Sequence, residues 1–129
     1  MAVVTSPLVQ AVIGHAVTVH RVLGPGLFES VYARCLVHEL ERSRIPFREQ
    51  VALPLKYEGL TIACAYRVDL IIADELVVEM KGIERLLPLH DSQVLTYLKL
   101  SGARQALLIN FNVRRLVDGI KSFLPPRRA

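Results

Sequence analysis

Tryptophan is absent from the 129-residue chain, and cysteine nearly so: there are two, Cys35 and Cys64. They stand far apart and form no C-x-x-C pair. That argues against a disulfide framework and leaves a zinc knuckle or four-cysteine iron–sulfur site without ligands. Both lie among apolar neighbours, so buried, reduced thiols are expected, which fits a reducing cytoplasm. Of the 4 histidines, His15, His20 and His38 show no i, i+4 pairing, which speaks against a transition-metal site built from them. Charge is also modest. With 16 Lys and Arg against 12 Asp and Glu, the net charge is +4. Such a balance suits a polyanionic partner without requiring one. Long apolar runs are missing too. Leu8 to Leu23 is interrupted by Gln10, His15 and His20, short of the ~20 clean residues needed to span a membrane. No Lys or Arg precedes Arg21, which argues against a signal peptide. There is no internal repeat.

What the chain has is apolar surface. Hydrophobic residues make up 52%, enough for one continuous core. Residues 1–124 read as a single domain, and 125–129, "PPRRA", as a loose basic tail. Apolar positions between Leu8 and Val22 follow a helical stripe that "GPG" at Gly24–Gly26 breaks. A second helix runs from about Phe28 to Arg42. Two strands, "FREQVALPLKYEG" and "LTIACAYRVDLII", meet at a hairpin near Glu58–Gly59. Pro54 marks the first as an edge strand, because proline cannot donate to a ladder. A third strand covers Glu75 to Lys81. Pro88 opens a helix that stops at Gly102, and "QALLINFN" reads as an interior strand. A last amphipathic helix is expected over about Val113 to Leu124. The order ααβββαβα describes an α/β fold: a small mixed sheet of about four strands, flanked by helices, with a parallel βαβ unit from strand three to strand four.

The informative anomalies are charges in apolar strands. Asp69 stands among Val68, Leu70, Ile71 and Ile72, where an unpartnered carboxylate is costly. On the next strand Glu79 and Lys81 follow Leu76, Val77 and Val78, two apart and so on one face. Register decides whether the two carboxylates meet. A three-residue loop, Ala73-Asp74-Glu75, pairs Ile72 with Leu76 and sets Asp69 opposite Glu79. A two-residue loop would place them on opposite faces, so the odd loop is expected. Carboxylates facing each other repel, and a cation between them relieves the repulsion. Mg²⁺ suits such a site, taking oxygen ligands while keeping exchangeable waters. The backbone carbonyl near Met80 is a candidate further ligand. Lys81 could hold a phosphate oxygen or orient an attacking water.

An acid on one strand followed by Glu-x-Lys on the next resembles the core motif of the PD-(D/E)xK nuclease superfamily. Val68 replaces the proline that usually precedes the Asp. "GLFESVY", Gly26 to Tyr32, matches the G-x-x-E-x-x-Y signature of the GxxExxY protein family within that superfamily. "QVLTY", Gln93 to Tyr97, is similar to the Q-x-x-x-Y motif of RecB-type nucleases. The resemblance extends over about Val12 to Leu124. It implies a restriction-endonuclease-like core and a Mg²⁺- or Mn²⁺-dependent nuclease acting on nucleic acid, with DNA favoured over RNA. Asp69 and Glu79 would hold the metal, with Glu29 as third acid, directly or through water. Glu29 also lies in the first turn of its helix, where the dipole favours a carboxylate.

Gln93 and Tyr97 share a helix face at i, i+4, which His90 extends. Gln93 is a candidate for positioning water or phosphate. Tyr97, Tyr32, Arg67 and His90 are candidates for substrate contact. For Tyr32 and Tyr97 core packing is an equal expectation, and for His90 a helix-start or surface role is favoured over a site role. Arg67 shares strand parity with Asp69, which suggests a carboxylate or phosphate partner. Arg85, Lys99, Arg104, Arg114, Arg115 and Arg127–Arg128 are scattered, as solvated surface or a phosphate track. The rival class is a catalytically silent nucleic-acid-binding or assembly module. The apolar fraction also leaves homo-oligomer formation open. Nothing in these residues resembles a helicase or a sequence-reading domain, so targeting is expected to come from a partner or to be absent.

Overall fold

The computed structural model describes residues 5–126; Arg127 and Arg128, and with them most of the expected tail, lie outside the described residues. Helix α1, Pro7–Leu23, starts where the Ser6 hydroxyl accepts the Val9 amide at 3.2 Å and ends at Gly24, φ 71°. Helix α2 covers Glu29–Arg42. Strands β1 (Phe47–Tyr57), β2 (Leu60–Ile72) and β3 (Leu76–Lys81) follow, then α3 (Pro88–Ser101) and β4 (Gln105–Asn110). Gly102 stops α3 in the left-handed conformation, φ 72°, which residues with a Cβ adopt only with strain. A short 3₁₀ turn, Leu116–Gly119, leads into β5 (Ile120–Phe123).

The five strands lie in the order β1-β2-β3-β4-β5. All neighbours are antiparallel except β3 and β4, which are parallel and joined by α3. Helices α1 and α2 cover one face, packing Val12, Ala16, Leu36 and Leu40 against Leu70, Val78, Met80 and Ile109. Helix α3 covers the other, with Val94, Tyr97 and Leu98 against Ile71, Val77, Ala106 and Leu108. β4 is buried along its whole length, as its uninterrupted apolar run requires. β1 is an edge strand, and its ladder shifts between Leu53 and Leu55, either side of Pro54. Among the described residues no helix is long and apolar enough to cross a membrane.

Two expectations are corrected. The amphipathic helix over Val113 to Leu124 is a 3₁₀ turn and a fifth strand. Its apolar spacing fits a helix, but the open edge of β4 offers Ile120–Phe123 a ladder, and Gly119 packs so tightly on the Asn110 carbonyl that a Cβ there would collide. The thiols are not both buried: Cys64 is exposed and Cys35 half-buried. Cys64 sits on the part of β2 that projects past the end of its pairing with β3, where Leu60 to Cys64 are all exposed.

Candidate active site

The loop between β2 and β3 fixes the geometry. Ala73 and Asp74 both take positive φ, 53° and 55°, and the Glu75 amide donates to the Ile72 carbonyl at 3.0 Å. The ladder then pairs Ile72 with Leu76, Ile71 with Val77 and Leu70 with Val78, the register expected of a three-residue loop. One step on, side chains take over. The Asp69 amide donates to Glu79 Oε1 at 2.7 Å, and the Met80 amide donates to Asp69 Oδ2 at 2.8 Å. Each carboxylate caps the other strand's backbone, so the two acids meet as the register demanded.

Their electrostatics follow from burial. Glu79 is only 5% exposed. Desolvation and the facing Asp69 push its carboxyl up to about 8 from an ordinary 4.5. Desolvation also raises Asp69, and the Glu29 charge adds to the rise, while the Met80 amide and the Gln50 side chain oppose it. Lys81 Nζ lies 3.9 Å from Glu79 Oε2. At that range the ammonium offsets only part of the desolvation cost.

The remaining candidates are placed unequally. Glu29 starts α2 and turns its Oε1 to the Gly82 amide at 3.2 Å. Gly82 permits this approach, since a Cβ would sit 3.1 Å from the Leu27 carbonyl and 3.6 Å from Glu29 Cγ. Among the described residues no three His, Cys, Asp or Glu groups stand close enough to hold a metal ion. The Glu29 charge reaches Asp69, while its carboxylate accepts from a backbone amide. Tyr97 packs with Val68, Ile71 and Val77, near enough to the carboxylates that its hydroxyl is pushed up to about 12 by burial first and then by Glu79 and Asp69. Its ring meets Tyr66 edge-on at 5.7 Å. Gln93 is half-buried one turn before Tyr97. His90 has the helix-start role, its Nδ1 accepting the Leu87 amide at 2.9 Å.

Arg67 and Tyr32 both have partners within the protein. Among the described residues Arg67 forms no ion pair with a carboxylate; it donates to the Gln50 carbonyl at 3.2 Å and to Cys64 Sγ at 3.5 Å. Tyr32 is fully buried and stacked on Phe111, with centroids 4.4 Å apart. Its hydroxyl donates to the Gly24 carbonyl at 2.7 Å and accepts the Leu27 amide at 3.1 Å. It clamps the loop that delivers Glu29, the core packing that is one of the two expectations for it. Tyr32→Phe leaves both backbone groups without that partner and is expected to cost about 1–2 kcal/mol in urea unfolding. A stability equal to the parent's would mean the clamp is slack. Arg85, Lys99, Arg104, Arg114 and Arg115 are exposed.

Residues not foreseen hold the site in place. Asn110 is 2% exposed; its Oδ1 accepts the Ile83 amide at 3.1 Å and its Nδ2 donates to the Ile83 carbonyl at 2.9 Å. Asn112 donates to that same carbonyl at 3.3 Å, and the Phe111 amide donates to the Lys81 carbonyl at 2.8 Å. The exit from Glu-x-Lys is thus fixed by "NFN", in which two asparagines ending an apolar strand were the available signal.

The sequence model of the PD-(D/E)XK nuclease superfamily matches residues 6–123. The chain belongs to that superfamily. The fold is similar to the crystal structure of SSO0001, with TM-score 0.52 and 22% identity over 77% of this chain. The match spans 50% of that longer chain. Among curated proteins none matches this chain.

Proposed function

We propose that this protein is a divalent-cation-dependent nuclease that hydrolyses phosphodiester bonds in nucleic acid, with DNA the favoured substrate. The observation that carries the reading is the buried, mutually capped pair Asp69 and Glu79 with Lys81 beside it, in a chain of the nuclease superfamily.

The pair fits a cation on its own chemistry. Two desolvated carboxylates that resist joint ionisation are relieved by a divalent ion, and oxygen donors suit Mg²⁺ and Mn²⁺. Asp69 and Glu79 would hold it, with the Met80 carbonyl, and Glu29 would reach it through water. When bound, such an ion supplies Lewis acidity toward a phosphate oxygen and lowers the pKa of a water. The protein's own groups do the rest. Lys81, held by Glu79, stabilises charge building on the phosphate oxygens as the water oxygen bonds to phosphorus and the ester P–O bond breaks. Gln93 and Tyr97, one turn apart on α3, position the phosphate. We also propose a cytoplasmic location and membership of the GxxExxY family.

The test is direct. Purified protein is expected to nick plasmid DNA or degrade oligonucleotides with Mg²⁺ or Mn²⁺, and to stop in EDTA. Cleavage that persists in EDTA would refute it. DNA binding with neither cleavage nor Mn²⁺ uptake by calorimetry would identify a binding module instead. Light scattering reports whether the chain self-associates.

A further inference from the structure

Gln50 lies in the middle of β1 with φ 48°. That is left-handed backbone, costly for a residue with a Cβ and unusual inside a strand. Around it the ladder between β1 and β2 pairs Glu49 with Leu70 and then Val51 with Val68, passing over Gln50 and Asp69. The faces exchange at the same level. Before the break, Phe47 of β1 and Leu70 and Ile72 of β2 pack toward α1 and α2. Beyond it, Val51, Leu53 and Val68 pack toward α3. Both strands turn over together, so Asp69 sits on the crossover rather than on either face.

The kink is tied at both ends. Arg67 Nη1 donates to the Gln50 carbonyl at 3.2 Å, and Gln50 Nε2 donates to Asp69 Oδ1 at 3.4 Å. The other oxygen, Oδ2, takes the Met80 amide. The Asp69 carboxylate is thereby held by a donor on each oxygen, one from either neighbouring strand. Strained backbone in the strand beside a candidate site, aiming an amide at its acid, has an evident use.

We infer that Gln50 is a positioning residue, its left-handed backbone aiming the side-chain amide at Asp69 so that the carboxylate is oriented before a cation arrives. The inference rests on the nuclease reading for its consequence in catalysis, but its first readout does not. Gln50→Gly and Gln50→Asn both accept the left-handed backbone, and neither reaches Asp69, the first lacking a side chain and the second shorter by a methylene. In EDTA, amide exchange at Met80 is expected to quicken several-fold in both variants, because Asp69 loses one of its two anchors, while overall stability is unchanged or raised. In the loaded protein, Mn²⁺ affinity by calorimetry is expected to fall about tenfold, with kcat reduced and KM for DNA held.

A residue that merely shaped the turn would give the opposite result: improved stability with Met80 exchange and Mn²⁺ affinity both unmoved. That outcome overturns the inference. Should the parent protein neither bind Mn²⁺ nor cleave while Met80 exchange still responds, the positioning of Asp69 stands and the nuclease reading falls.

Discussion

Asp69→Asn and Lys81→Met are each expected to lower kcat for DNA cleavage about 10²–10³-fold or more, with the fold intact. Asparagine keeps the shape of Asp69 and an oxygen for the Met80 amide, so the strand contact at 2.8 Å survives. What is lost is the charge on which cation binding depends. Methionine keeps the apolar stem of Lys81 and removes the ammonium 3.9 Å from Glu79. The two variants separate by their metal response. Asp69→Asn is expected to lose Mn²⁺ affinity, whereas Lys81→Met is expected to retain it and lose turnover. Circular dichroism and melting curves like the parent's make the losses local. Full activity in either variant would remove that residue from the mechanism.

Glu79→Gln is expected to be inactive and, in EDTA at pH 8.5, more stable than the parent by about 1–3 kcal/mol. The sign follows from protons. The Glu79 carboxyl sits near 8 in the folded protein against an ordinary 4.5, and Asp69 is raised as well. Between those values the folded state holds a proton that the unfolded chain has released. The contribution is fully present below the unfolded pKa and is lost as pH rises through the folded one. The parent should therefore lose stability between about pH 5 and pH 8.5. Glutamine cannot ionise, yet its Oε1 can still accept the Asp69 amide, so the slope should flatten and the alkaline loss disappear. Saturating Mn²⁺ supplies the complement, stabilising the parent by about 2.7 kcal/mol at a hundredfold excess over Kd and the variant hardly at all. An unchanged pH slope in Glu79→Gln would assign the titration elsewhere.

Much of this site was legible from two charges in the wrong place. Asp69 and Glu79 could share a neighbourhood only if the loop at Ala73 were odd, so the cost of burying a carboxylate determined a register. Gly102 and Pro54 marked a helix end and a sheet edge for similarly local reasons. Other features lay beyond local reading. The helical spacing of Val113, Leu116, Val117 and Ile120 was overridden by an open β4 edge that exists only in the assembled sheet. Tyr32 stood in a recognised motif, but its hydroxyl closes on Gly24 and Leu27, a contact that depends on how the "GPG" loop folds back. The turnover of β1 and β2 at Gln50 leaves no trace in the alternation of residue types, because helices cover both faces of the sheet and apolar residues suit either one.

The projecting part of β2 behaves as a cantilever. Leu70 to Ile72 are laddered to a strand on either side, whereas Leu60 to Val68 are laddered to β1 alone, with Tyr66 and Val68 braced against α3. Its root is the one level where the ladder gives way to carboxylates. The length that overhangs without a helix or a second strand beside it is therefore Leu60 to Cys64, all of it exposed, and it ends only five residues from Asp69.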